Sequence, residues 1–157
     1  MKLIIGATLS AISVFASAAN YEVNLTRSGE DLYKISEREI VLKTSYCYSY
    51  AFEEPSILRV SNGYVMAYFS DTATECSVDS AYTSSDLTPA LYSLTVTNDG
   101  DNWYKDELKN VYIKTSMCLS LAVSEDAVLV LREGPFSHLF TESGKCNVEK
   151  VYSKADL

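Results

Sequence analysis

Apolar and small or polar residues alternate through Ile40–Phe52, the run IVLKTSYCYSYAF. A period of two marks a strand, because successive side chains point to opposite faces. Taken as one strand, the run places Val41, Lys43, Ser45, Cys47, Ser49 and Ala51 on one face. Ile40, Leu42, Thr44, Tyr46, Tyr48, Tyr50 and Phe52 share the other. Residues 111–123, VYIKTSMCLSLAV, repeat the pattern with Met117, Leu119, Leu121 and Val123 in the place of the large aromatics. Turn signals cut the rest of the chain into short pieces. They fall at 53–55, 61–63, 71–75, 98–101, 124–126, 132–135 and 142–145. Such spacing predicts an all-β chain whose meander closes into a small, SH3-like barrel or sandwich. Residues 31–39 and 102–110 fit a short helix or an edge strand, with the strand preferred.

The two alternating runs are part of a longer repeat. Residues 33–69 laid on 104–140, at a constant offset of 71, share 12 of 37 positions. The identities are Tyr33, Lys34, Lys43, Thr44, Ser45, Cys47, Ser49, Ala51, Glu54, Leu58, Gly63 and Phe69. A one-residue gap then brings CSVDSAY at 76–82 onto CNVEKVY at 146–152. In this alignment His138 faces Ala67, and Tyr64 and Tyr68 face Pro135 and Leu139. Two copies of about 60 residues are too few for a solenoid, so they point to two tandem small β-domains, the preferred layout, or to two halves of one pseudo-symmetric domain. The expected layout is a first repeat over 19–82, a joint over 83–92 that carries Pro89, and a second repeat over 93–157.

The N-terminus changes the picture of where the chain works. Lys2, the apolar run at 3–15 and the small residues Ala16-Ser17-Ala18 have the layout of a secretory signal peptide, 1–18. No later run is long and apolar enough to span a bilayer as a helix. Export to the periplasm or the medium would permit disulfides, and four cysteines read as two of them. The repeat favours Cys47–Cys76 and Cys118–Cys146. Domains this small bury little surface, so each cystine would contribute substantially to stability.

Charge and motifs exclude more than they assign. The net charge is −8, which disfavours nucleic acid and favours a basic partner. The sequence holds no Gly-rich phosphate loop, no nucleophile-elbow pattern and no cofactor motif. With a single histidine, His138, and the cysteines paired, a zinc site lacks ligands. Asp99 and Asp101 around Gly100 read as a hairpin turn, not a calcium loop. Neither a metal nor a cofactor is expected.

Two features are candidates for recognition. Tyr46, Tyr48 and Tyr50 would form a stripe on one strand face, with core packing or the interface between the two copies the simpler expectation and a face that binds a protein or glycan the alternative. Glu53, Glu54, Glu125 and Asp126 occupy turns that would meet a cationic partner. The leading expectation is therefore an exported, non-catalytic binding module, of the inhibitor or immunity type, acting on a basic envelope-targeting enzyme. A self-associating envelope or matrix protein is the alternative. A hydrolase using a carboxylate pair is the third reading.

Overall fold

The computed structural model describes residues 18–156. The proposed signal peptide, apart from Ala18, lies outside the described residues. Among the described residues there are twelve elements, all of them strands. They are β1 (Ala19–Gly29), β2 (Leu32–Ile35), β3 (Ile40–Ser45), β4 (Glu54–Ser61), β5 (Tyr64–Phe69), β6 (Thr74–Ser84), β7 (Leu91–Asn98), β8 (Trp103–Asp106), β9 (Val111–Ser116), β10 (Glu125–Val130), β11 (His138–Thr141) and β12 (Gly144–Ala155). The ambiguous stretches 31–39 and 102–110 each hold a strand and a turn, β2 and β8 being the strands.

Strands β1–β6 form a closed six-stranded barrel. They follow the order β6–β3–β2–β1–β4–β5, and β5 pairs back onto β6. Every pairing within it is antiparallel. Closure removes exposed sheet edges. Inside it lie Leu25, Tyr33, Leu42, Ala67, Phe69 and their neighbours. The other six strands continue the sheet in the order β12–β9–β8–β7–β10–β11, and β11 pairs with β12. Their core is built on Val96, Tyr104, Ile113, Leu129 and Leu139.

The two sets of strands meet where β6 pairs with β12, from Tyr152 opposite Ser84 to Ala155 opposite Ala81. A third apolar cluster fills the junction, with Leu32, Val41 and Tyr82 from one side and Trp103, Tyr112 and Tyr152 from the other. Trp103 donates its Nε1–H to the Ser28 carbonyl at 2.9 Å. Gly29 lets the backbone come this close, since a Cβ there would lie 3.0 Å from the Trp103 ring. The Lys43 ammonium contacts the Asp99 carboxylate at 2.8 Å and the Glu30 carbonyl at 3.4 Å. One cation thus joins the β1–β2 and β7–β8 hairpin tips.

The disulfides are Cys47–Cys76 and Cys118–Cys146, with Cα atoms 5.4 and 4.8 Å apart. Both are the expected pairs, and two cystines fit an oxidising compartment. No helix among the described residues is long and apolar enough to cross a membrane.

Three details differ from the sequence reading. β3 stops at Ser45, and residues 46–53 run outside the ladder. β6 continues to Ser84, so the expected joint at 83–92 includes the end of β6 and the first residues of β7. The constant offset also fails in β5 and β11. Ala67 opposes both Leu58 and Cys76, whereas Leu139 opposes Leu129 and Cys146. The positions matching by register are therefore Ala67 with Leu139, Tyr68 with Phe140 and Met66 with His138. The cause is the longer connection from β10 to β11, residues 131–137, against the two-residue turn Asn62–Gly63 between β4 and β5.

Candidate functional site

The site begins with a reversal of the alternation. Thr44 is buried, so Tyr46 should point inward too, yet its side chain is 87% exposed. The backbone at Tyr46 has φ +53°, in the left-handed region that a bulky residue seldom adopts. This conformation interrupts the pleat and shifts its phase. Beyond it Cys47, Ser49 and Ala51 face the barrel core, while Tyr48, Tyr50 and Phe52 stand 76–83% exposed. A second positive φ, +48° at Glu53, ends the segment before β4. The expected core packing of the tyrosine stripe is thus corrected: all three rings face solvent.

The same construction recurs after β9. Met117 has φ +55° and Ser124 +50°. Between them Ser120 and Ala122 are buried, and Leu119, Leu121 and Val123 are 79–97% exposed. Rows of large apolar side chains this exposed are uncommon on a soluble surface, and contiguous ones mark interaction sites.

Both rows rest on hydrogen-bonded supports. The Tyr33 hydroxyl, within the core, donates to the Ser49 carbonyl at 2.7 Å. Arg27 N–H donates to the Ala51 carbonyl at 2.9 Å. Cys47 N–H donates to Asp31 Oδ1 at 2.8 Å, and Glu53 N–H to Thr26 Oγ1 at 2.9 Å. In the second set Tyr104, Asn98, Asn102 and Thr97 serve Ser120, Ala122, Cys118 and Ser124 in the same way. Burial raises the Tyr33 pKa above its ordinary value, consistent with a neutral donor. A disulfide under each row ties Cys47 to β6 and Cys118 to β12. Each row starts beside a hairpin tip, at Asp31 or Asn102, and Lys43 joins those tips. The two rows therefore leave from one joint.

The acidic candidates divide. Glu54 is buried, and its Oε1 accepts Asp71 N–H at 2.9 Å, Thr72 N–H at 2.8 Å and the Thr72 hydroxyl at 3.1 Å. Ser49 donates to its Oε2 at 3.3 Å. This carboxylate locks the β5–β6 turn to the end of the row and presents little to a partner. Glu125 accepts Glu142 N–H at 3.1 Å and is half-buried. Glu53 and Asp126 are exposed. Glu30, Asp71, Asp101 and Glu142, which sequence reasoning did not single out, are exposed beside the same turns. None of these six exposed carboxylates forms an ion pair among the described residues. The neighbouring cations are already engaged. Arg27 lies 4.9 Å from the Tyr50 ring centroid, Lys43 holds the two tips, and Lys114 sits 5.0 Å from the Trp103 ring centroid. The rows consequently carry an acidic fringe.

Glu54 and Glu125 serve separate turns. His138 packs against Phe140, and its Nδ1 is buried with no partner among the described residues. The described residues hold no group of three or more His, Cys, Asp or Glu side chains able to bind a metal. A cavity of about 650 Å³ lies beside β1, β4 and β5, with Val23, Ile35, Glu37, Arg38 and Phe69 among its lining. It contains none of the row residues. The chain matches no protein-family model, and comparison with curated proteins and with solved structures finds no match.

Proposed function

We propose that the chain is an exported, non-catalytic binding module made of two tandem barrels that arose by duplication. It captures a basic protein through its two exposed rows. The inhibitor or immunity type, directed at a basic envelope-targeting enzyme, is the form this activity takes. The observation that carries the reading is the reversal at Tyr46 and Met117. It turns eight large side chains outward while small ones anchor each segment in the core. Burying the large face instead would have been the stabilising choice. A chain that keeps these residues in water, on rigid supports, gains recognition area in return.

The charge distribution selects the partner. Six exposed carboxylates around apolar rows attract a cationic surface and repel anionic lipid or nucleic acid. The duplication is supported by equivalent supports at equivalent positions, Tyr33 with Tyr104 and Asp31 with Asn102.

The test uses the oxidised protein as bait on envelope extract and medium. Its comparisons are Tyr46→Ser/Tyr48→Ser/Tyr50→Ser and Leu119→Ser/Leu121→Ser. A basic protein retained by the native chain, lost from both variants and released by raised salt is the expected result. Equal retention by the variants would refute the rows as the interface. Sedimentation showing that the protein alone assembles through the rows would replace the reading with self-association.

A further inference from the structure

The supports under the first row involve only every second residue. Cys47, Ser49, Ala51 and Glu53 use their main-chain groups toward β1 and β2. In an extended segment the N–H and C=O of one residue point to the same side, and those of the next residue to the opposite side. The main-chain groups of Tyr48, Tyr50 and Phe52 therefore point away from β1 and β2. None of them hydrogen-bonds among the described residues. In the second set Cys118, Ser120, Ala122 and Ser124 are engaged, and Leu119, Leu121 and Val123 are not. Each barrel is closed, yet each carries one short strand edge left open above it.

Resting on the binding-module reading, we infer that the partner docks as an extended strand. Its main chain pairs with Tyr48, Tyr50 and Phe52, and its basic side chains lie on the tyrosine rings. Residues with neither main-chain group paired recur every second residue, the interval at which a β-strand presents its own donors and acceptors. The positive φ values at Tyr46 and Glu53 bound the edge, so about three residue pairs fit. The ring face already accommodates a cation, since Arg27 lies 4.9 Å from the Tyr50 centroid. Glu53 and Asp71 at the end of the edge favour lysine or arginine on the incoming strand. They also work against a second copy of this chain, which at net charge −8 would bring like charge to like charge. The same edge recurs along Leu119, Leu121 and Val123, where the outward side chains are aliphatic and suit an apolar strand. One joint thus serves two strand-binding edges of different side-chain preference.

The experiment is residue-resolved amide hydrogen exchange on the oxidised protein with a short, end-blocked peptide of alternating lysine and valine. In the free protein the Tyr48, Tyr50 and Phe52 amides should exchange rapidly. With saturating peptide their exchange should slow at least about tenfold, while the Ser49 and Ala51 amides change far less. Methylating alternate backbone nitrogens of the peptide, on the pairing side, should weaken binding by about tenfold or more. Replacing lysine by glutamate should abolish it. No binding by the lysine–valine peptide would overturn the inference, and so would binding insensitive to backbone methylation. The inference also fails if the even amides are protected in concentrated free protein, which would place a second copy on the edge. Protection by phosphatidylglycerol vesicles in place of the peptide would overturn it too. Partner capture lost from the serine variants without alternate amide protection would leave the binding module standing and remove only the strand-pairing mode.

Discussion

Replacing Tyr33 by phenylalanine removes one oxygen and tests how the first row is held. The Tyr33 ring is fully buried and lies 5.1 Å from the Phe69 ring, so the substitution conserves its packing. What goes is the hydroxyl bond of 2.7 Å to Ser49, whose carbonyl is then buried without its donor. A buried hydrogen bond contributes about 0.5–1.5 kcal/mol net, and an orphaned buried acceptor costs about 1–3 kcal/mol. A loss of about 1–2 kcal/mol is expected, or about 3–8 °C in Tm for a chain of this size. Tyr104→Phe makes the matching change at Ser120, but there the Asn98 side-chain amide also donates, at 3.2 Å. Ser120 keeps a donor, so Tyr104→Phe should cost roughly half as much, in keeping with the smaller penalty for a satisfied acceptor. Urea titration of both variants with cystines intact gives the two values. Amide exchange across 46–53 shows whether Tyr33→Phe loosens that segment alone. A neutral Tyr33→Phe, or a Tyr104→Phe as damaging, would refute the assigned roles.

Three further outcomes can be checked independently. Burial first, and the nearby Glu39 and Glu149 second, push the Tyr152 pKa up to about 12, and Tyr112 is also raised by burial and by Asp99. A neutral tyrosine favoured by the fold keeps its full stabilisation below the unfolded-chain pKa of about 10 and loses it as pH rises toward the folded value. Stability should therefore fall between about pH 10 and 12, and Tyr152→Phe should flatten that decline in alkaline denaturation curves. Gly29→Ala places a methyl 3.0 Å from Trp103, the one tryptophan of the chain, and should cost about 1–3 kcal/mol with a red shift of its fluorescence. Cys118→Ser/Cys146→Ser opens a sequence separation of 28 and should cost about 3.5 kcal/mol by denaturant titration.

Much of the fold can be read from particular residues. The alternation over 40–45 and 111–116 marks β3 and β9, and the recurrence of Cys47 and Cys76 as Cys118 and Cys146 identifies the cystine partners. The fate of the tyrosines could not be read, because it depends on a left-handed backbone at Tyr46 and Met117. Neither is glycine or asparagine, so no composition signal announces the turn. Periodicity continues straight through 45–47 although the faces exchange, since a phase shift leaves a period of two intact. Glu54 illustrates the converse. Its identity with Glu125 points to a shared role, but only the fold reveals that the role is to accept hydrogen bonds from the next turn. Alignment at constant offset also hid the longer β10–β11 connection, which shifts Leu139 onto Ala67.

Hydroxyl-radical footprinting of the dilute, oxidised protein, resolved by residue, reads the outward rows most directly. Rapid oxidation at Tyr46, Tyr48, Tyr50, Phe52, Met117, Leu119 and Leu121 is expected, with Tyr33, Trp103, Tyr104 and Ile113 protected. Protection of the seven outward residues to the same degree as the core four would contradict the account.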